Sequence, residues 1–115
     1  MSMFEEIFKD RSKITAISPQ EAREMMSRSD EYILLDVRTL SEYEQVRIEG
    51  AKLIPVDELS RRAPVELPDK NIPIFIYCHS GARAARAVDL LTGMGYTNVL
   101  SFGGILNWPY ETIKG

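Results

Sequence analysis

Apolar and polar positions along the chain follow two alternating patterns. Short runs rich in β-branched and aromatic residues predict strands at 13–17, 32–37, 52–54, 72–77 and 98–101. Between them, apolar residues recur every three or four positions and predict helices after Ser18 and at 39–45, 57–62 and 82–92. This alternation is typical of an α/β domain built around a mainly parallel sheet.

Two helix starts carry a complete capping signal. Ser18 and Glu21 form one capping box, with Pro19 at the first helical position, and Thr39 and Glu42 form a second. In such a box, the first side chain accepts a hydrogen bond from a backbone N–H of the helix, and the acidic side chain accepts one in return. The sequence therefore predicts helices that begin directly after Ser18 and Thr39.

Glycine and proline residues set the remaining boundaries. Gly93 ends the helix at 82–92, and Gly103-Gly104 is predicted to form a turn before a last helix at 105–113. The helical turns at 57–62 are expected to end in a loop that contains Pro64 and Pro68.

The domain organisation follows from length and composition. A chain of 115 residues with 44% hydrophobic residues can build one core, which we place at 13–115. Residues 1–12 are predicted to be an N-terminal extension, in which the helical spacing of Phe4, Ile7 and Phe8 suggests a short helix.

Composition also narrows the function. With one cysteine, Cys78, and one histidine, His79, the chain offers no intrachain disulfide and no cluster of metal ligands, so we expect no metal. The net charge of −3 argues against nucleic acid as a partner. No apolar run approaches the roughly 18 residues that a membrane span needs, so we expect a soluble, cytoplasmic protein without a membrane partner.

The segment Cys78–Arg83 is the strongest candidate for chemistry. It joins the strand at 72–77 to the helix at 82–92, and ligands of open α/β sheets bind at the carboxyl ends of strands. A tight turn at Gly81 would direct backbone N–H groups and the positive helix end at one point, which favours a thiolate there. The alternative is a buried and inert cysteine, since free cysteines are among the most buried residues.

The charges of the following helix favour an anion at this point. Arg83 and Arg86 lie in its N-terminal half, where cations oppose the helix dipole, so a negatively charged partner is expected nearby. The planar guanidinium of Arg83 would suit an oxyanion, whereas Arg86 is better explained as part of a solvated face. His79 is expected to line the loop or face solvent.

Several motifs together make the chain similar to the rhodanese-like family of single-domain thiosulfate sulfurtransferases. A cysteine, four intervening residues and an arginine match the family's active loop, with Gly81 at the expected position. The resemblance extends from about residue 14 to the C-terminus, and its other motifs are Asp36-Val37-Arg38, Glu42-Tyr43, Gly50-Ala51, Ile54-Pro55 and Gly103-Gly104 followed by Trp108.

The resemblance implies a three-layer α/β fold with a central, mainly parallel five-stranded sheet flanked by helices. It also implies an enzyme without a cofactor, in which Cys78 is the nucleophile and becomes a persulfide. The donor would be a small anion such as thiosulfate, and the acceptor a thiol, cyanide or a protein. The donor-binding loop would consist of His79, Ser80, Gly81, Ala82 and Arg83.

The resemblance also implies two residues that support the active loop, and the chain differs from the family pattern at two positions. Asp36 and Arg38 are expected to brace the loop through an ion pair. Arg47 stands where many relatives have histidine, and Ala84 where they commonly have serine, which removes one hydroxyl near the sulfur and suggests lower activity.

Four other functions compete with sulfur transfer. A sulfur carrier would use the same cysteine, whereas a regulatory docking module would have no need of it. A cysteine-loop phosphatase is less favoured because such loops place five residues between cysteine and arginine. An arsenate reductase would also need an external thiol, since the chain has no second cysteine.

Overall fold

The computed structural model describes residues 15–115, so the predicted extension 1–12 and its boundary with the domain lie outside the described part. Helices and strands alternate along most of the described chain, as the sequence pattern predicts, but the short strands Val46–Arg47 and Ile113–Lys114 were not predicted. Their order is α1 Pro19–Ser27, β1 Ile33–Asp36, α2 Leu40–Gln45, β2 Val46–Arg47, β3 Lys52–Leu53, α3 Leu59–Glu66, β4 Ile74–Cys78, α4 Ala82–Gly93, β5 Val99–Gly104 and β6 Ile113–Lys114. Short 3₁₀ helices at Val56–Glu58 and Ile105–Asn107 complete the set.

The main sheet has four parallel strands in the order β3, β1, β4, β5. Residues 15–17, the described part of the predicted first strand, run beside β5 with a parallel bridge between Ala16 and Ser101. The Ser101 N–H donates to the Thr15 carbonyl at 2.8 Å, and the Ile17 N–H donates to the Ser101 carbonyl at 2.9 Å. The predicted, mainly parallel sheet flanked by helices is thus confirmed.

Side chains of the central strand β4 alternate between two apolar layers. Ile74, Ile76 and Cys78 belong to the layer that includes buried residues of α3 and α4. Phe75 and Tyr77 belong to the layer on the other face, which includes residues of α1. Helices therefore cover both faces of the sheet, and the cysteine ends the strand on the α4 side.

The prediction of a last helix at 105–113 is wrong. Only the single 3₁₀ turn Ile105–Asn107 forms, and β6 then pairs antiparallel with β2. Pro109 has no N–H for a helical hydrogen bond, which disfavours a continuous helix. The Trp108 ring instead packs at 5.3 Å from the Phe102 ring and 5.0 Å from the Tyr110 ring, measured between ring centroids.

The prediction of a loop at Pro64 is also wrong, because α3 continues through this residue. Burial and side-chain contacts compensate for the backbone donor that proline lacks. Ala63 is fully buried, and its carbonyl oxygen lies 3.0 Å from the Tyr96 hydroxyl. Arg62 forms ion pairs with Glu58 and Glu66, one turn away on either side.

The Gly103-Gly104 pair forms the end of β5 and not the predicted turn. The pairing register between β4 and β5 shifts at this point, where Cys78 lies opposite Gly104. Gly103 has a φ of +90°, which L side chains rarely adopt. This irregularity brings the end of β5 next to the cysteine loop.

Candidate active site

The candidate nucleophile is the last residue of the central strand. Cys78 is 1% exposed, so its thiol lies beneath the surface. The Gly81 N–H nevertheless donates a hydrogen bond to Cys78 Sγ at 3.0 Å. Gly81 reaches this position with a φ of +123°, and no other residue type adopts that backbone conformation without strain. The sulfur therefore faces a backbone donor although apolar side chains pack around it.

The end of β5 touches the backbone of the loop. A Cβ atom at position 104 would lie 2.0 Å from the His79 carbonyl oxygen and 2.5 Å from the Ser80 nitrogen, so only glycine fits there. The Leu106 N–H also donates to the His79 carbonyl at 3.3 Å. The loop conformation thus depends on a glycine at position 104.

The predicted donor-binding residues lie together at the start of α4. His79, Ser80 and Ala82 are exposed, while Gly81 and Arg83 are partly buried. His79 also lines a cleft of about 480 Å³, together with Arg38, Glu42 and Trp108. His79 is thus exposed and also borders a cleft, and its role in donor binding stays a prediction.

Arg83 is bound by a carboxylate of the chain itself. Its Nη1 and Nη2 donate to Glu42 Oε1 and Oε2 at 2.7 and 3.0 Å, a bidentate pair. The Arg83 hydrogen bond is the largest cause that lowers the pKa of Glu42 to about 2, against an ordinary 4.5, and hydrogen bonds from Thr39 contribute although partial burial opposes the shift. Glu42 is accordingly a carboxylate at neutral pH.

The predicted Asp36–Arg38 ion pair forms, but it does not hydrogen-bond to the loop. Both residues are buried, and Arg38 Nη2 donates to Asp36 Oδ2 at 2.7 Å and to the Val46 carbonyl at 2.6 Å. Burial alone would lower the pKa of Arg38, but the hydrogen bond and charge of Asp36 outweigh it and raise the pKa. The pair braces the junction of α2 and β2, because these two acceptors occupy the guanidinium.

The sequence interpretation did not assign a role to Glu42 or to the close approach at Gly104. A signal existed for both, since Glu42 lies in a capping box and in a family motif, and Gly104 lies in another. Their contacts join residues far apart in sequence, so only the folded chain reveals them. Phe102 is buried in the core, while Trp108 is partly buried and lines the cleft.

The described residues 15–115 contain no group of three or more His, Cys, Asp or Glu side chains that could hold a metal ion. No helix in this part of the chain is long and apolar enough to cross a membrane.

Fold and site define an α/β domain with a single-cysteine loop at the carboxyl end of its central strand. The chain belongs to the rhodanese-like family, since the family model described as "Rhodanese-like domain" matches residues 18–110. This assignment agrees with the resemblance drawn from the sequence motifs.

Curated relatives and solved structures agree with the family. The chain is 36% identical over 81 residues to the thiosulfate sulfurtransferase PspE of Escherichia coli, covering 70% of this chain and 78% of that protein. It is 33% identical over 102 residues to the putative sulfur carrier protein YrkF of Bacillus subtilis, covering 88% of this chain but 54% of that protein. A structure described as "rhodanese with anions from E. coli" superposes with a TM-score of 0.69 at 34% identity, covering 74% of this chain and all of that one.

Proposed function

We propose that this chain is a sulfurtransferase in which Cys78 carries a sulfane sulfur as a persulfide. The donor is thiosulfate or a related small anion, and the acceptor is a thiol, cyanide or a protein. The observation that carries the proposal is the Gly81 N–H directed at Cys78 Sγ, because a backbone donor stabilises negative charge on sulfur. Membership of the sulfurtransferase family and similarity to PspE support it.

The proposed reaction has two transfers. The Cys78 thiol first loses its proton, and its thiolate attacks the outer sulfur of thiosulfate. A sulfur–sulfur bond forms on Cys78, the sulfur–sulfur bond of the donor breaks, and sulfite leaves with the electron pair. An acceptor thiolate then attacks the outer sulfur of the persulfide, which regenerates the Cys78 thiolate and yields the acceptor persulfide. With cyanide as the acceptor, the product is thiocyanate.

Residues around the sulfur have separate proposed roles. The backbone of residues 79–83 surrounds the transferred sulfur, and Gly81 donates to the charged form. Arg83 interacts with the anionic donor from the first turn of α4, although Glu42 also binds its guanidinium. Asp36 and Arg38 support the site by fixing the α2–β2 junction that borders the cleft.

A sulfur carrier is the second candidate function. The similarity to the putative sulfur carrier YrkF favours it, as does the ion pair that occupies Arg83 and lowers its availability to a small anion. A carrier would form the same persulfide on Cys78 but would turn over slowly with thiosulfate and quickly with a protein donor.

Mass spectrometry of the protein after incubation with thiosulfate tests the proposal. We expect the mass of one added sulfur atom on the peptide that contains Cys78, and its loss after cyanide is added. The Cys78→Ser variant should fold normally and gain no sulfur. An unmodified wild-type Cys78 with both thiosulfate and a desulfurase donor would contradict the proposal, and phosphatase activity lost in Cys78→Ser would favour the cysteine-loop phosphatase instead.

A further inference from the structure

We propose that Glu42 determines donor specificity at Cys78 by binding Arg83, so that the site discriminates against donors with two negative charges. The preferred donor would carry one negative charge or none at its reacting end, as thiosulfonates and persulfides do. This inference rests on the function proposed above and names the donor class of the same site.

The position of Glu42 is fixed from two sides. Its Oε1 accepts a hydrogen bond from the Thr39 N–H at 3.0 Å, as the capping box of α2 requires, and another from Thr39 Oγ1 at 3.1 Å. Arg83 donates to both carboxylate oxygens from the other side. Glu42 is therefore held at the cleft by the helix start, independently of any ligand.

The charged side chains around the cysteine loop form pairs of opposite charge. The positive charge of Arg83 faces Glu42, and that of Arg38 faces Asp36. Once Cys78 has lost its proton, these five groups together carry one negative charge. Among these five groups, no unpaired positive charge is left to balance a dianion such as thiosulfate, and its leaving group, sulfite, also bears two negative charges. Repulsion should therefore act in both the ground state and the transition state.

The Arg83–Glu42 pair is exposed enough to respond to a ligand. The side chains retain 34% and 30% of their accessible surface, in contrast to 2% and 0% for Arg38 and Asp36. An incoming anion can therefore compete with Glu42 for the guanidinium of Arg83, while the buried pair is shielded from such competition. The carboxylate of Glu42 thus makes the binding free energy of a donor less favourable as the negative charge of the donor increases.

Two donors that differ by one charge test this inference. Thiosulfate is a dianion and methanethiosulfonate a monoanion, and both deliver their outer sulfur to a thiolate, releasing sulfite and methanesulfinate respectively. For Glu42→Gln, we expect kcat/KM to rise about fivefold more with thiosulfate than with methanethiosulfonate, a size typical of a partly exposed charge. Glutamine retains the acceptor for the capping box, so α2 should form normally.

The chain provides a matched control in its other capping box. Glu21 Oε1 accepts from the Ser18 N–H at 2.9 Å, and Glu21 is exposed on α1. Glu21→Gln makes the same chemical change at the same position of a helix and should leave the ratio of the two kcat/KM values unchanged. Glu42→Ala, which lacks the charge and the cap acceptor, should shift the ratio in the same direction as Glu42→Gln.

The outcomes separate this inference from the proposed function. An unchanged or lowered ratio in Glu42→Gln and Glu42→Ala, with persulfide still formed on Cys78 by both donors, overturns the role of Glu42 and leaves the sulfurtransferase proposal intact. Absence of the persulfide in the wild type with thiosulfate, with methanethiosulfonate and with a desulfurase donor overturns both.

Discussion

At the scale of single residues, the two arginines at the start of α4 are paired with carboxylates from other parts of the chain. Arg83 binds Glu42 in α2, and Arg86 Nη1 lies 3.3 Å from Asp57 Oδ1 in the 3₁₀ turn. The helix dipole disfavours cations at this end, and the sequence argument correctly required a nearby negative charge. The chain itself supplies that charge, so a donor-binding role for Arg83 stays a prediction.

Replacement of the two arginines separates their roles. We expect Arg83→Ala to lower kcat/KM for thiosulfate by about tenfold or more, because it removes charge-assisted hydrogen bonds and leaves the Glu42 carboxylate at the cleft without its guanidinium partner. Arg86→Ala should change it less than about twofold, since its side chain is 61% exposed and its ion pair is long. Steady-state kinetics of both variants make the comparison, and equal losses would argue against a specific role for Arg83.

At the scale of elements, local signals predicted more than long-range ones. Both capping boxes place the starts of α1 and α2 correctly, because a box is formed by residues three positions apart. Pro64 misled the interpretation, since burial of Ala63 and ion pairs of Arg62 keep α3 helical around it. The pairing of β6 with β2 joins segments more than 60 residues apart, and no local pattern reveals it.

Because β5 contacts the backbone of the loop at Gly104, we expect a larger residue at this position to lower both activity and stability. In Gly104→Ala, the new methyl group would overlap the His79 carbonyl, and backbone atoms cannot yield as a flexible side chain can. We expect sulfur transfer to fall about tenfold and the free energy of unfolding to fall by about 1–3 kcal/mol.

Gly93→Ala is the matched control, because a Cβ there meets no atom within 4 Å. In that variant, activity should be unchanged and the free energy of unfolding should stay the same or rise by up to about 1 kcal/mol. Urea unfolding and a thiosulfate assay of the two variants provide the measurements. Full activity in Gly104→Ala would mean that the loop does not depend on this contact.

At the scale of the whole molecule, the sheet order determines how much of the site the sequence could predict. Cys78 and Gly81 are three residues apart, so their proximity follows from a tight turn. Glu42 and Arg83 are 41 positions apart. They meet because β1 and β4 are neighbours in the sheet and each is followed by a helix at its carboxyl end. Their contact is a property of the folded topology.

The free energy of unfolding should depend on pH through Glu42 and Glu66, two carboxylates that form ion pairs with arginine. Hydrogen bonds from Arg83 and from Arg62 are the main causes that lower the pKa values of Glu42 and Glu66 to about 2, from an ordinary 4.5. A lowered pKa in the folded state contributes stability above about pH 4.5, and this contribution is lost as the pH falls towards 2.

The double variant Glu42→Gln/Glu66→Gln lacks both contributions. The wild type should exceed it in free energy of unfolding at pH 7, and the difference should shrink between pH 4.5 and pH 2. Urea unfolding at several pH values follows the difference. If it is the same at pH 7 and pH 2.5, these two ion pairs do not stabilise the fold.

Burial of the Cys78 sulfur also determines which reagents can modify it. Because 1% of the residue is exposed, we expect a large alkylating agent or chromogenic disulfide to react with the native protein more slowly than a small reagent does. The labelling rate of the native protein therefore measures how accessible the sulfur is, and labelling in denaturant gives the full thiol count. The same shielding protects the sulfur from bulky oxidants between successive turnovers.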